Sequence, residues 1–268
     1  METIRLALVT DIHAGKLIEC RPGEEAIGLL DQFVSFVNGK QVDAVIELGD
    51  RVNNANHDDD MKNLKAVVES LSALHCPWYS VIGNHDVHYL SKRENLKALD
   101  IPAPYHTVRL KDFTCIFLDT ADPIWGHCGG ALSETQLHWL ERELSKDTTA
   151  KLVFGHHPLT NQNQDGNPFF VPLPGEDTIH DNAMVRHILQ NGNNVLAYFD
   201  GHVHWFYACK DQGIAFVSVP SLLEAYPAKE QAPGRFVIAE ISSDGTMDLG
   251  FHTLRPQRTL GRINFDAR

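Results

Sequence analysis

Five short segments hold most of the side chains in this sequence that could do chemistry. They are Asp11-Ile12-His13, Gly49-Asp50, Gly83-Asn84-His85-Asp86, Gly155-His156-His157 and Gly201-His202-Val203-His204. The candidate metal ligands are Asp11, His13, Asp50, Asn84, His156, His202 and His204: three oxygen donors and four imidazoles. One four-coordinate ion would leave three of these donors unused, whereas two ions sharing Asp50 use them all. The set has no thiolate and is hard to intermediate in character. It suits manganese, iron or zinc, and also cobalt or magnesium, better than copper or an iron–sulfur cluster. Histidine is in excess, 15 of 268 residues, and an imidazole neutral near pH 7 is free to ligate a metal. Two ions roughly 3.5–4 Å apart can hold a bridging hydroxide, neutralise phosphate charge and clamp an in-line displacement. A histidine near its working pKa can protonate the leaving oxygen.

The segments sit where an α/β chain would need them. Ile4–Thr10, Asp43–Leu48, Trp78–Ile82, Lys151–Phe154 and Val195–Phe199 are short apolar runs that read as buried strands, and each stops at one of the five polar clusters. In α/β sheets ligands collect at the carboxyl ends of strands. Four clusters place a glycine just before the polar group, which lets the chain turn sharply off the strand. Taken singly, each cluster is also an ordinary polar turn; five at successive strand ends make a site. Between them, Glu24–Val37, Met61–Leu74, Ser91–Leu99, Ser133–Leu144 and His180–Gln190 carry helical apolar stripes. Ser133 with Gln136 predicts a capping box. Tyr105–Leu110 and Phe113–Asp119 predict a hairpin, and Phe206–Cys209, Ile214–Val219, Phe236–Ile241 and Thr246–His252 read as further strands. The first two-thirds is βαβ in character and the last quarter mostly β. With no Pro/Gly/Ser linker, a single domain over residues 1–268 is expected.

Composition narrows the partners. With 23 basic and 35 acidic residues the formal charge is −12, a poor match for duplex nucleic acid or an anionic membrane. An anionic substrate would have to be drawn by bound metal rather than by the chain. The five cysteines are odd in number and form no C-x-x-C pair, which predicts neither a disulfide framework nor a zinc ribbon. The N-terminal apolar run stops at Asp11, short and acidic for a leader, and no apolar stretch is long enough to span a membrane. A reducing, cytoplasmic setting is the expectation; a homo-oligomer is left open.

The order D-x-H, G-D, G-N-H-[DE], His and G-H-x-H, complete over residues 11–204, resembles the calcineurin-like metallophosphoesterase superfamily, and within it the class III cyclic nucleotide phosphodiesterases and the glycerophosphodiesterases. The resemblance implies a four-layer α/β/β/α sandwich of two mixed sheets flanked by helices, with two divalent or trivalent metal ions between the sheets. It implies that Asp11, His13 and His204 hold the first ion, that Asn84, His156 and His202 hold the second, and that Asp50 bridges them. His85, beside Asn84, takes the position that protonates the leaving oxygen, so Asn84 and His85 are the catalytic candidates. Asp86 is expected to support the site, and His157 to support its loop.

Specificity is expected in the loops Asn53–Asp60, Ala121–Ala131 and Asn161–Asp177. His57 and Trp125 are the substrate-binding candidates, against the plainer readings of a solvated loop residue and ordinary packing. Phe169 and Phe170 read as loop anchors or a contact between copies, with substrate contact as the alternative. The function expected is phosphodiesterase action, by metal-bridged hydroxide attack, on a small nucleotide-like or glycerophosphodiester substrate. Three alternatives stand beside it: a phosphomonoesterase or protein phosphatase, an ADP-ribose or CDP-alcohol type pyrophosphatase, and a scaffold that has lost its metals. Against the protein phosphatase, Arg51 follows Asp50 but the usual arginine context is missing.

Overall fold

The computed structural model describes residues 2–18, 20–227 and 231–266. Among these residues, two six-stranded mixed sheets face each other. The first contains β1 (Thr3–Val9), β4 (Ala44–Glu47), β5 (Trp78–Ser80), β12 (Arg235–Ser242), β13 (Met247–Leu254) and β14 (Gln257–Phe265), in the order β14-β13-β12-β1-β4-β5. The second contains β6 (His106–Leu110), β7 (Phe113–Phe117), β8 (Ala150–Phe154), β9 (Val195–Asp200), β10 (Tyr207–Asp211) and β11 (Ile214–Ser218), in the order β10-β11-β9-β8-β7-β6. A small ribbon of β2 (Leu17–Ile18) and β3 (Arg21–Pro22) follows β1.

The central strands are apolar on both faces because both faces are covered. In β1, Leu6 and Leu8 point into the core between the sheets, with Ile46, Phe117, Phe154, Phe199 and Val237. The alternate residues Ala7 and Val9 meet α1 (Ala26–Asn38) and α2 (His57–Leu71) through Leu30, Phe33, Val67 and Leu71. On the second sheet, Ile116, Val153 and Tyr198 pack under α4 (Glu134–Ser145) and α5 (Asn182–Asn191) through Leu140, Leu144, Val185 and Leu189. The layers are therefore α/β/β/α, as expected. A shorter helix, α3 (Lys92–Leu99), completes the set.

Two local expectations are corrected, and one strand is added. Helix α2 starts at His57, not Met61, because Asn56 caps it, accepting from Asp59 N at 3.0 Å, and three aspartates follow in its first turn. The apolar stripe begins later than the helix does. Ser133 caps α4, but Gln136 does not complete a capping box. Its amide turns away to bind the buried backbone of Asp119, accepting from Asp119 N at 2.9 Å and donating to Asp119 O at 2.8 Å. Strand β14 has no apolar alternation to announce it; it is a largely exposed edge strand.

Candidate metal centre

The parallel strands β1, β4 and β5 of one sheet and β8 and β9 of the other end at the same place. Their carboxyl ends deliver Asp11, Asp50, Asn84, His156 and His202 to one point between the sheets. To face inward there, five residues adopt left-handed backbone conformations: Asp11 (φ 52°), His13 (φ 45°), Asp50 (φ 58°), His202 (φ 67°) and His204 (φ 62°). Each costs roughly 1 kcal/mol or more relative to ordinary backbone, so the packing around them must hold them. The glycines act differently from the expected sharp turn. Of the four that precede the polar groups, only Gly49 has a positive φ, 95°. Gly83 and Gly201 are close-approach positions: a Cβ at Gly83 would overlap Asp50 Oδ1, and one at Gly201 would overlap Thr10 Oγ1.

The ligating atoms of Asp11, His13 and His204 lie within 4.8 Å of one another; so do those of Asp11, Asp50 and His156, and those of His156, His157 and His202. Each aspartate has one oxygen committed and one turned inward. Asp11 Oδ2 accepts from Thr10 Oγ1 at 2.8 Å and from His202 N at 3.0 Å. Asp11 Oδ1 is buried with no hydrogen-bond donor, 3.3 Å from His204 Nε2 and 3.6 Å from His13 Nε2. Asp50 Oδ1 accepts from His85 N at 2.8 Å, while Oδ2 lies 3.2 Å from His156 Nε2 and 3.9 Å from His13 Nε2. Asn84 Oδ1 lies 3.1 Å from His156 Nε2.

The outer ring nitrogens are oriented by fixed acceptors. His156 Nδ1 is 2.7 Å from Leu48 O, and His204 Nδ1 is 3.1 Å from Glu224 Oε2. Donation from Nδ1–H in each case turns the Nε2 lone pair inward. His202 does the reverse: its Nε2 donates to Glu176 O at 2.9 Å, which leaves Nδ1 for the centre. His157 has both nitrogens committed, to Thr120 Oγ1 at 2.7 Å and Cys128 O at 2.8 Å, which suits a loop support. An unpaired buried carboxylate oxygen facing converging imidazole nitrogens is a donor set that fits a cation.

The electrostatics agree with that fit. Burial opposes ionisation of Asp11, but His204 and His13 outweigh it and hold the carboxyl well below its usual range. Burial likewise opposes ionisation of Asp50, and His156 and His85 outweigh it. Burial alone would lower His156 and His204; Asp50 raises the first to about 10, and Asp11 with Glu224 raises the second to about 9. The cluster attracts positive charge. Burial pushes His85 well below its ordinary value, against the pull of Asp50.

Behind the ligands stands a buried charged network. Asp86 Oδ2 accepts from Asp50 N at 3.0 Å and Gly83 N at 2.9 Å, and Oδ1 from Arg51 N at 2.8 Å. Arg51, fully buried, binds Glu47, Ser80, Val81 O and Asp86. Its guanidinium is spent on structure and is not free to meet a phosphate.

A cavity of about 380 Å³ opens above the centre, lined by Asp50, Asn84, His85, His202 and His204 and roofed by Phe169 and Phe170. The two phenylalanines pack at a tilt against candidate ligands, Phe169 on His204 and Phe170 on His202, with ring centroids 4.9 and 4.8 Å apart. Both rings line the cavity, where they anchor their loop against the two histidines. Arg21 and His127 also line the cavity. His57 and Trp125 do not. His57 starts α2 and pairs with Glu94 at 2.8 Å. Trp125 stacks on His180 at 3.5 Å, 45% exposed; its loop reaches the cavity through His127 and Cys128 instead. Arg21, Glu176 and Glu224 had no signal in the sequence, since none sits in a motif. A second cavity of about 440 Å³, largely walled by Trp205, Phe206, Tyr226 and Phe251, touches His204 but holds no cluster of ligating side chains among the described residues.

Comparison with known proteins shows the family. A model of the calcineurin-like phosphoesterase family matches residues 4–206. A protein of Arcobacter nitrofigilis named "Probable glycerophosphodiester phosphodiesterase GpdQ" is 30% identical over 164 residues, 60% of this chain and 56% of that one. The chain thus spans little more than half the length of that relative. A "Probable cyclic nucleotide phosphodiesterase" of Rhodococcus erythropolis is 30% identical over 222 residues, 81% of this chain and 69% of its own. In fold, a dimetal phosphatase from Danio rerio superposes with a TM-score of 0.78 at 17% identity, over 99% of both chains.

Proposed function

This chain belongs to the calcineurin-like phosphoesterase family, and from that premise we propose that it is a dinuclear-metal phosphodiesterase acting on a small nucleotide-like or glycerophosphodiester substrate. The observation that carries the reading is Asp50 Oδ2, which faces His156 on one side and His13 on the other. One carboxylate oxygen between two ligand groups is the arrangement a shared ligand requires. Asp11, His13 and His204 would hold one ion, and Asn84, His156 and His202 the other. Bound there, two ions of manganese, iron or zinc supply charge neutralisation and a lowered pKa for water. The chain does the rest. Phe169 and Phe170 exclude solvent above the ligands, and the cavity admits a small molecule but not a duplex. His85 lines the cavity beside Asn84, placed to give a proton to the leaving oxygen; an anionic phosphoester next to it favours its charged form. The names of the two curated relatives support a diester as substrate. The commitment of Arg51 to Glu47 and Asp86 speaks against a phosphatase that uses it on phosphate. The proposal extends to one domain over the chain and a cytoplasmic setting; no helix among the described residues is long and apolar enough to cross a membrane.

The test is metal content after purification without chelator, followed by hydrolysis of bis-p-nitrophenyl phosphate, p-nitrophenyl phosphate, cyclic AMP and ADP-ribose with manganese. About two ions per chain with diester turnover is the expected result. Turnover of the monoester alone would make it a phosphatase, and preference for ADP-ribose a pyrophosphatase. Neither metal nor turnover would leave a binding scaffold.

A further inference from the structure

We propose that Arg21 is the side chain that grips the phosphoryl oxygens of the bound substrate, a cation supplied by the chain in addition to the metals; the inference rests on the phosphoester reading of the site. Arg21 opens β3, in the ribbon that follows the Asp11 and His13 segment, and its side chain lines the cavity over the metal centre. It is only 8% exposed. Among the described residues no carboxylate stands within ion-pair distance of it, and its Nε is buried without a hydrogen-bond partner. What it does have is an aromatic platform: its guanidinium carbon lies 4.9 Å from the centre of the Phe169 ring. The same ring packs on His204, so one phenylalanine ties the arginine to a metal ligand.

That placement is unusual in a chain of net charge −12. A buried cation left without an anion is costly, and a ring face compensates it only in part. The ring face offers no hydrogen-bond acceptor to the N–H edge of the fork, which still needs one. The acceptor that fits such an edge is a carboxylate or a phosphate, taken through two parallel bonds. The carboxylate that lines the cavity, Asp50, has one oxygen bonded to His85 N and the other turned to imidazoles, so among the described residues Arg21 has no anion and an incoming one would meet it. Arg21 is also close enough for its charge to lower His13 and His85, two imidazoles of the centre. Arg51, the arginine the sequence puts beside Asp50, is locked away, and Arg21 takes the role left vacant.

The test uses the manganese-loaded protein and inorganic phosphate as the probe, titrated by calorimetry, beside kcat and KM for bis-p-nitrophenyl phosphate. Arg21→Gln is expected to weaken phosphate binding by about 10- to 100-fold, the range for one charge-assisted contact, with metal content unchanged. Arg21→Lys, which keeps the charge but not the fork, is expected to recover part of it. Phe169→Leu, which removes the platform, is expected to fall between wild type and Arg21→Gln. Phosphate affinity of Arg21→Gln within about twofold of wild type would overturn the inference. So would a wild-type protein that binds no phosphate, or loss of metal from both arginine variants, which would make Arg21 a structural residue. Wild-type protein that binds phosphate through Arg21 but hydrolyses no phosphoester would sustain the inference and sink the phosphodiesterase reading alone.

Discussion

At the scale of single residues, the site divides its histidines by what their second nitrogen does. His156, His202 and His204 each have one nitrogen fixed by a carbonyl or carboxylate and one directed to the centre. His13 and His85 have none fixed, the Nδ1 of each being buried and unpartnered; what sets His85 apart is its place beside Asn84 in the lining of the cavity. His85→Ala should therefore keep its metal but lose about 10²- to 10⁴-fold in kcat on alkyl diesters. On nitrophenyl esters, whose leaving groups need no proton, the loss should be small. Equal losses on both would remove the acid role. His57 belongs to a different argument. Its hydrogen bonds to Glu94 and Asp58 raise its pKa, while Ser91 first and His57 second lower Glu94 to about 2. A raised histidine stabilises the fold below its unfolded pKa and ceases to as pH climbs through its folded one. His57→Ala should thus lower the melting temperature slightly at about pH 5.5 and not at about pH 9. A melting temperature unchanged at both would show that the pair contributes nothing.

At the scale of elements, two helix starts look alike in sequence and differ in structure. Ser91 and Glu94 form the reciprocal box at α3: Ser91 Oγ accepts from Glu94 N at 3.2 Å and Ser91 N donates to Glu94 Oε2 at 2.8 Å. Ser133 and Gln136 have the same spacing at α4, but Gln136 is fully buried and serves Asp119. The two glutamine bonds satisfy backbone groups that no water reaches. Ser91→Ala should cost about 1 kcal/mol, the ordinary value of a cap. Gln136→Ala should cost more, about 2–3 kcal/mol, because a buried donor and acceptor lose their partners. Urea denaturation of both variants checks the order, and the reverse order would mean that Asp119 finds other partners. Spacing alone could not separate the two cases, since burial of position 136 is set by β7 and the chain leaving it.

At the scale of the whole molecule, the centre is the place where the two sheets are joined by chemistry rather than by apolar packing. Asp11, Asp50 and Asn84 come from the first sheet; His156, His202 and His204 come from the second. An ion that binds only the folded chain stabilises it by mass action, about 2.7 kcal/mol at a hundredfold excess over its dissociation constant. Chelation should lower the melting temperature by roughly 5 °C or more at this chain length, with manganese restoring it. No shift would mean that the folded chain holds no ion.

What the sequence determined by itself was everything local in origin. The apolar runs specify strands and the polar residues at their ends specify donors, so Asp11, Asp50, Asn84, His156, His202 and His204 could be named before any contact was known. Tertiary structure decided the rest. Phe169, Phe170 and Arg21 enter the cavity because their segments fold over it, and Glu224 reaches His204 because the chain after β11 crosses back beneath it. His57 and Trp125 have the right chemistry for substrate, yet their segments dock elsewhere. A side chain's type is written in the sequence, but which cavity it lines depends on packing between segments far apart in the chain, and no spacing rule reports that.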